Sequence, residues 1–237
     1  MYIELLPDAD AAARRAAAFI AGRALEAVRE RGCFLLALSG GETPLPMFEA
    51  LAAQPLPWRH VELFQVDERI AAKGSEARNW TRIEQLLVAP LGLAPQQLHP
   101  IPVEAVDPAA AAAQYNEMLL ARAGTQPTLD LVHLGLGADG HTASLFQNDA
   151  ALDVDTAWVS ATGVHHGHRR ITLTLPALRR ARCILWLVCG EDKSAMLSRL
   201  TRGDATIPAG RVPADRAWVM ADETAGRLRT VSAQVLR

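Results

Sequence analysis

The sequence predicts an α/β protein: one domain over residues 1–237, built on a mostly parallel sheet with helices on both faces. Three observations carry that expectation. Short apolar runs recur at residues 33–38, 61–66, 129–134, 158–161, 171–175, 183–189 and 216–220, and most are continuous rather than alternating, as strands covered on both faces should be. Helical stretches separate them at about 9–30, 44–53, 77–88, 107–123, 176–181 and 192–200. The chain has 237 residues, half of them hydrophobic, enough for one full core, and no internal repeat or low-complexity linker divides it.

The first helix is bracketed by its own signals. Asp8 stands where an N-cap is needed, the body is rich in Ala, Leu, Arg and Glu, and Gly32 supplies the stop. Pro108 sits at a helix start, the alanines of 109–113 read as helix, and residues 90–108 read as loop. The net charge of −2 gives no general field for a polyanion, although Arg179, Arg180 and Arg182 could form a local basic patch; no nucleic-acid partner is expected. Cys33, Cys183 and Cys189 lie in apolar runs and read as reduced core thiols, which fits a cytoplasmic location. The opening MYIELLPDAD has no basic stretch leading into an apolar one, and no run reaches the roughly 18 apolar residues of a membrane span. Neither export nor a membrane partner is expected.

Parallel sheets bind ligands beyond the carboxyl ends of their strands, so the informative residues follow each apolar run. Four junctions carry unusual chemistry. In FLLALSGGETP, Ser39, Gly40, Gly41 and Thr43 form a turn before a helix, where backbone N–H groups can hold a phosphate or simply close a tight turn. It is no nucleotide P-loop, since that spacing and its lysine are absent. In VELFQVDERI, Asp67, Glu68 and Arg69 either face a ligand or stay hydrated in a loop, and alone they favour the hydrated loop.

In GLGADGHTASLF, Gly135, Gly137 and Gly140 spell the dinucleotide pattern in poor dinucleotide context, with Asp153 and Asp155 weakly placed for a ribose. The other reading brings backbone close to a small ligand and presents His141, flanked by Asp139, for proton transfer; a merely structural histidine stays open. In LWLVCGEDKSAML, Lys193 falls in the first turn of a helix beginning near Asp192, where an anion would offset the helix dipole, or its ammonium points to solvent. Arg169 and Arg170 form a further candidate anion clamp.

LALSGGETP, FQVDER, LGLGADGHTASLF, RRITLTLPAL and CGEDK follow one another along residues 35–193. In that combination the chain resembles the 6-phosphogluconolactonase family, within the larger group of sugar-phosphate isomerases and glucosamine-6-phosphate deaminases. GADGHTASLF is the most specific element, and PALRRAR and AWVMADETA agree with it. The resemblance implies a Rossmann-like sheet, no dinucleotide or other cofactor, no metal, and hydrolysis of 6-phospho-D-glucono-1,5-lactone to 6-phosphogluconate in the pentose phosphate pathway. It implies His141 as the general base on the attacking water, with Asp139 orienting the imidazole or a substrate hydroxyl. Ser39, Gly40, Gly41, Thr43, Arg170 and Lys193 match positions that bind the sugar phosphate; Arg69 joins them or stabilises the oxyanion, and Asp67 lies among the substrate-binding positions. Ser39 and Ser144 need not be nucleophiles, since neither stands in G-x-S-x-G. The expected partner is a phosphorylated sugar lactone, and the expected state a monomer or weak homo-oligomer.

Two departures qualify the resemblance. SEARNW, residues 75–80, keeps Asn79 but changes its neighbours, and HHGH, residues 165–168, replaces a Pro-rich stretch. Three histidines there could hold a metal, but no carboxylate supports them in the local sequence. The rival readings are a deaminase/isomerase, whose loop would carry a glutamate where Phe146 stands, and a non-catalytic sugar-phosphate sensor.

Overall fold

Runs too continuous to face water on either side assemble into a seven-stranded, wholly parallel sheet in the computed structural model, which describes residues 1–105 and 107–227. Its strands are β1 (Tyr2–Leu6), β2 (Phe34–Leu38), β3 (Val61–Gln65), β5 (Leu98–His99), β6 (Leu131–Leu134), β9 (Ile184–Val188) and β10 (Ala217–Asp222). Their spatial order is β1-β10-β9-β6-β2-β3-β5. After β2 the chain builds outward through β3 and β5, then returns to lay β6 on the other side of β2. That reversal opens a crevice at the carboxyl ends of β2 and β6.

Helices cover both faces, as the continuous burial of β2, β6 and β9 requires. On one face lie α1 (Ala9–Arg31) and α2 (Leu45–Ala52), whose Ile20, Met47 and Phe48 pack with Leu36 and Leu63. Asp8 caps α1 by accepting from the Ala11 N–H at 2.7 Å, and Gly32 ends it in the left-handed conformation at φ 79°. On the other face α5 (Pro108–Ala123) sends Tyr115 and Leu119, and α6 (Leu175–Arg180) sends Leu178, into the second core, alongside Trp186.

Four local features differ from the sequence expectation. The segments read as strands near 158–161 and 171–175 stand outside the main sheet: β7 (Val159–Ala161) and β8 (Arg170–Leu173) form a small antiparallel sheet with β4 (Asp67–Arg69). The charged junction Asp67-Glu68-Arg69 is thus a strand and not a hydrated loop; Asp67 is 4% and Glu68 0% exposed. The helix expected over 77–88 begins as α3 (Asn79–Ile83), widens into a π-helical turn over Glu84–Val88 and ends as α4 (Ala89–Leu91). Pro90 explains the widening, since it has no N–H for the carbonyl of Leu86 and its ring crowds that oxygen. Residues 90–108, read as loop, also contribute the short edge strand β5.

Candidate active site

The crevice holds a cavity of about 310 Å³, in the size range of small-molecule sites, and all four strand-end junctions open into it. Ser39, Gly40, Gly41, Thr43, Asp67, Arg69, His141, Arg170 and Lys193 line its wall; Asp139 stands behind His141. Residues spread over the whole chain therefore meet at one place.

The turn after β2 is fastened by Ser39, whose Oγ donates to the backbone carbonyl of His133 at 3.0 Å. That hydroxyl ties β2 to β6 and is no free nucleophile. The turn leads to α2, whose first turn has no side-chain cap; the Leu45 N–H donates to the Glu42 carbonyl at 3.2 Å, and Pro46 has no N–H.

The loop after β6 presents the histidine. Asp139 Oδ1 accepts from the His141 backbone N–H at 3.1 Å and lies 2.5 Å from Nδ1. Burial pushes the Asp139 carboxyl up, but the bonds from His141 outweigh it and hold the group below its usual range. Burial draws the His141 imidazole down against the opposing pull of Asp139 and Asp67, which favours the neutral ring. With an ionised carboxylate on Nδ1, the proton of the neutral ring sits there and Nε2 is left as the acceptor. The glycine pattern has a steric reason unconnected with a dinucleotide. A Cβ at Gly137 would overlap the His141 imidazole and the Asp139 carboxylate, and Gly140 holds φ at +86° with Ile207 close behind it.

β4 and β8 bring two guanidiniums together, because Arg69 and Arg170 are register partners. Arg69 Nη1 donates to the Ala77 carbonyl at 2.8 Å, and Arg170 reaches Ser144 Oγ at 3.4 Å, while the Nε of each is buried and without a partner among the described residues. Asp67 lies beside them and is strongly held: Ser144 Oγ donates to its Oδ2 at 2.6 Å, and Asn79 Nδ2 donates to its backbone carbonyl at 3.0 Å. Burial pulls the Arg170 guanidinium down and Asp67 opposes that pull. Ser144 therefore serves Asp67 as a donor, and Asn79, doubtful from its sequence neighbours, is the second clamp on the same residue.

Past β9, Gly190 turns the chain at φ 102° into a 3₁₀ turn over Glu191–Lys193, and α7 (Ser194–Thr201) starts after it. Lys193 is thus the N-cap of α7 rather than a residue of its first turn. Its ammonium lies 2.9 Å from Asp192 and lines the cavity. The lining side chains carry three fixed cations, Arg69, Arg170 and Lys193, against the carboxylates of Glu42 and Asp67.

His133 was not singled out by its sequence, where it reads as one more member of an apolar strand. It is 1% exposed on the cavity floor, and neither ring nitrogen has a partner among the described residues. Burial pushes its pKa down to about 3. An unfolded chain protonates this ring near the ordinary value of 6.5, so the folded state binds fewer protons below that pH. The associated stability is complete above about pH 6.5 and is lost as pH falls toward about 3, by up to about 1.4 kcal/mol per pH unit. Urea unfolding at pH 7 and pH 5 should show the wild type losing up to about 2 kcal/mol more than His133→Leu. Equal losses would place the acid sensitivity elsewhere.

Comparison with known proteins bears on the family and the fold. The family model for glucosamine-6-phosphate isomerases/6-phosphogluconolactonase matches residues 7–221. A 6-phosphogluconolactonase of Synechocystis is 37% identical over 195 residues, covering 81% of each chain. The crystal structure of a 6-phosphogluconolactonase from Shewanella baltica superposes with a TM-score of 0.84 at 27% identity, covering 94% of this chain and 97% of that one. A monomeric glucosamine-6-phosphate deaminase superposes with a TM-score of 0.83 at 16% identity, covering 97% of this chain and all of that one, a likeness of fold alone. The chain belongs to the glucosamine-6-phosphate isomerase/6-phosphogluconolactonase family.

Proposed function

We propose that the protein is a 6-phosphogluconolactonase, hydrolysing 6-phospho-D-glucono-1,5-lactone to 6-phospho-D-gluconate in the oxidative pentose phosphate pathway. The observation that carries this reading is the Asp139–His141 pair, whose imidazole lines one cavity together with three cations. His141 Nε2 takes a proton from water as the water oxygen attacks the lactone carbonyl. Negative charge moves to the carbonyl oxygen, and Arg69 stabilises it. The tetrahedral intermediate collapses with cleavage of the bond to the ring oxygen, and protonated His141 returns the proton to that oxygen. The Ser39–Thr43 turn, Arg170 and Lys193 anchor the phosphate. A lactone is an activated ester, so positioning and one base suffice without a cofactor, metal or covalent nucleophile.

On the same reading the enzyme works in the cytoplasm as a monomer or weak homo-oligomer. No helix among the described residues is long and apolar enough to cross a membrane. The deaminase alternative loses ground at Phe146, which is 3% exposed and offers a ring where that chemistry uses a carboxylate. A lactonase assay coupled to 6-phosphogluconate dehydrogenase, corrected for spontaneous opening and run beside ammonia release from glucosamine 6-phosphate, separates the readings. Lactone hydrolysis without ammonia is expected; ammonia release, or inertness toward both substrates, would overturn the assignment.

A further inference from the structure

We propose that His165, in the His165–His168 turn, is a positioning residue for His141 and acts through the ring of Phe146; the proposal rests on the lactonase reading above. The Phe146 and His165 rings are stacked, with centroids 4.0 Å apart and planes 11° from parallel. The same Phe146 ring meets His141 at 4.4 Å and 30°, and the Arg170 guanidinium carbon stands 5.2 Å from its centroid. One buried phenyl ring thus touches the base, a substrate-facing cation and His165.

His165 is itself fixed on several sides. Its Nε2 lies 2.6 Å from Oδ2 of Asp149, whose side chain is almost fully buried. Asp149 also accepts from the Ala151 N–H at 2.8 Å and the Gly163 N–H at 2.9 Å, so it is an anchored partner. The turn closes through the His165 N–H to the His168 carbonyl at 2.9 Å, and the His165 carbonyl accepts from Arg170 Nη2 at 3.5 Å. By contrast, the hydrogen-bonding partner of His141 is exposed: the Asp139 side chain is 57% accessible. One bond to an exposed carboxylate leaves the imidazole plane free to swing about that bond. A ring packed against its face removes that freedom, and small errors in the placement of a base are costly in rate.

The test compares His165→Phe, which keeps a stacking ring and loses the bond to Asp149, with His165→Gln, which keeps a donor to Asp149 and loses the ring, and with His165→Ala. Removing the ring in the Gln and Ala variants should lower kcat by about 2- to 12-fold, with KM within about twofold, and the Phe variant should stay close to wild type. The His141 Cε1–H proton resonance, which senses the Phe146 ring current, should move in the Gln and Ala proteins and hold in the Phe protein. Should the Ala variant fail to fold, the Phe and Gln pair decides alone. The reverse ranking, with Gln active and Phe impaired, would make His165 a loop anchor and overturn the proposal, as would wild-type kcat in all three. If the wild type itself opens lactone no faster than the spontaneous reaction, the functional reading fails, and the resonance comparison still decides the positioning.

Discussion

Replacing His141 with Asn is expected to lower kcat by about 10²–10⁴-fold while KM changes little. Asn keeps a polar side chain in the loop but has no nitrogen able to take the water's proton. The pH profile supplies the more specific signature. Only the neutral imidazole is a base, so kcat/KM should rise with pH as the free enzyme's His141 loses its proton and then level off. Burial holds that group below the ordinary histidine value in spite of Asp139. The plateau should therefore be reached at a lower pH than an unperturbed histidine would give, and this limb should vanish in the variant. Spontaneous opening accelerates at alkaline pH and has to be subtracted at every point. A folded His141→Asn protein with wild-type kcat and the same limb would make the histidine structural and move the search for the base to Asp67 or Asp139.

How far such a site can be read in advance depends on how local its interactions are. Asp139 and His141 are two residues apart, and their bond lies within a loop whose glycines already mark close approach. The strand-end rule then gathers Ser39, His141 and Lys193 without any knowledge of side-chain contacts, because the order of β2, β6 and β9 alone brings those junctions to one crevice. The fold was legible for a similar reason: continuous apolar runs have to be covered on both faces wherever they occur.

What escaped reading depends on distant partners. Asp67-Glu68-Arg69 carries three charges and suggests water, yet Glu68 is fully buried because the Arg69, Asn79 and Trp80 N–H groups and Gln65 Nε2 all donate to it at 2.7–2.9 Å. Burial raises its pKa against those donors, and two of them arrive from α3, beyond the view of a local window. Tyr2–Leu6 shows the same limit in the fold: a short, half-exposed edge strand whose partner β10 lies near the opposite end of the described chain. The Phe146–His165 stack needs a turn that reverses the chain through two left-handed residues, His166 at φ 49° and Gly167 at φ 81°. Nothing in the letters HHGH distinguishes that from a solvated loop.

Lys193→Ala is expected to raise KM for the phosphorylated lactone by about 10- to 150-fold and to leave hydrolysis of unphosphorylated gluconolactone nearly unchanged. The ammonium lines the cavity past the end of β9, the same cavity that the Ser39–Thr43 turn past the end of β2 lines, and its own carboxylate neighbour Asp192 is largely exposed. An incoming phosphate dianion competes with a hydrated side chain for that charge, so the pair with Asp192 does not use it up. Losing the cation removes binding that ground state and transition state share, which is why the effect belongs in KM. Lys193→Arg should recover most of the affinity, since the charge is restored even if the geometry of a point contact is not. The unphosphorylated substrate is the control that separates recognition from damage. Equal losses on both lactones in a folded protein would show that Lys193 supports the loop rather than the phosphate, and would leave Arg170 and the Ser39–Thr43 turn to account for substrate anchoring.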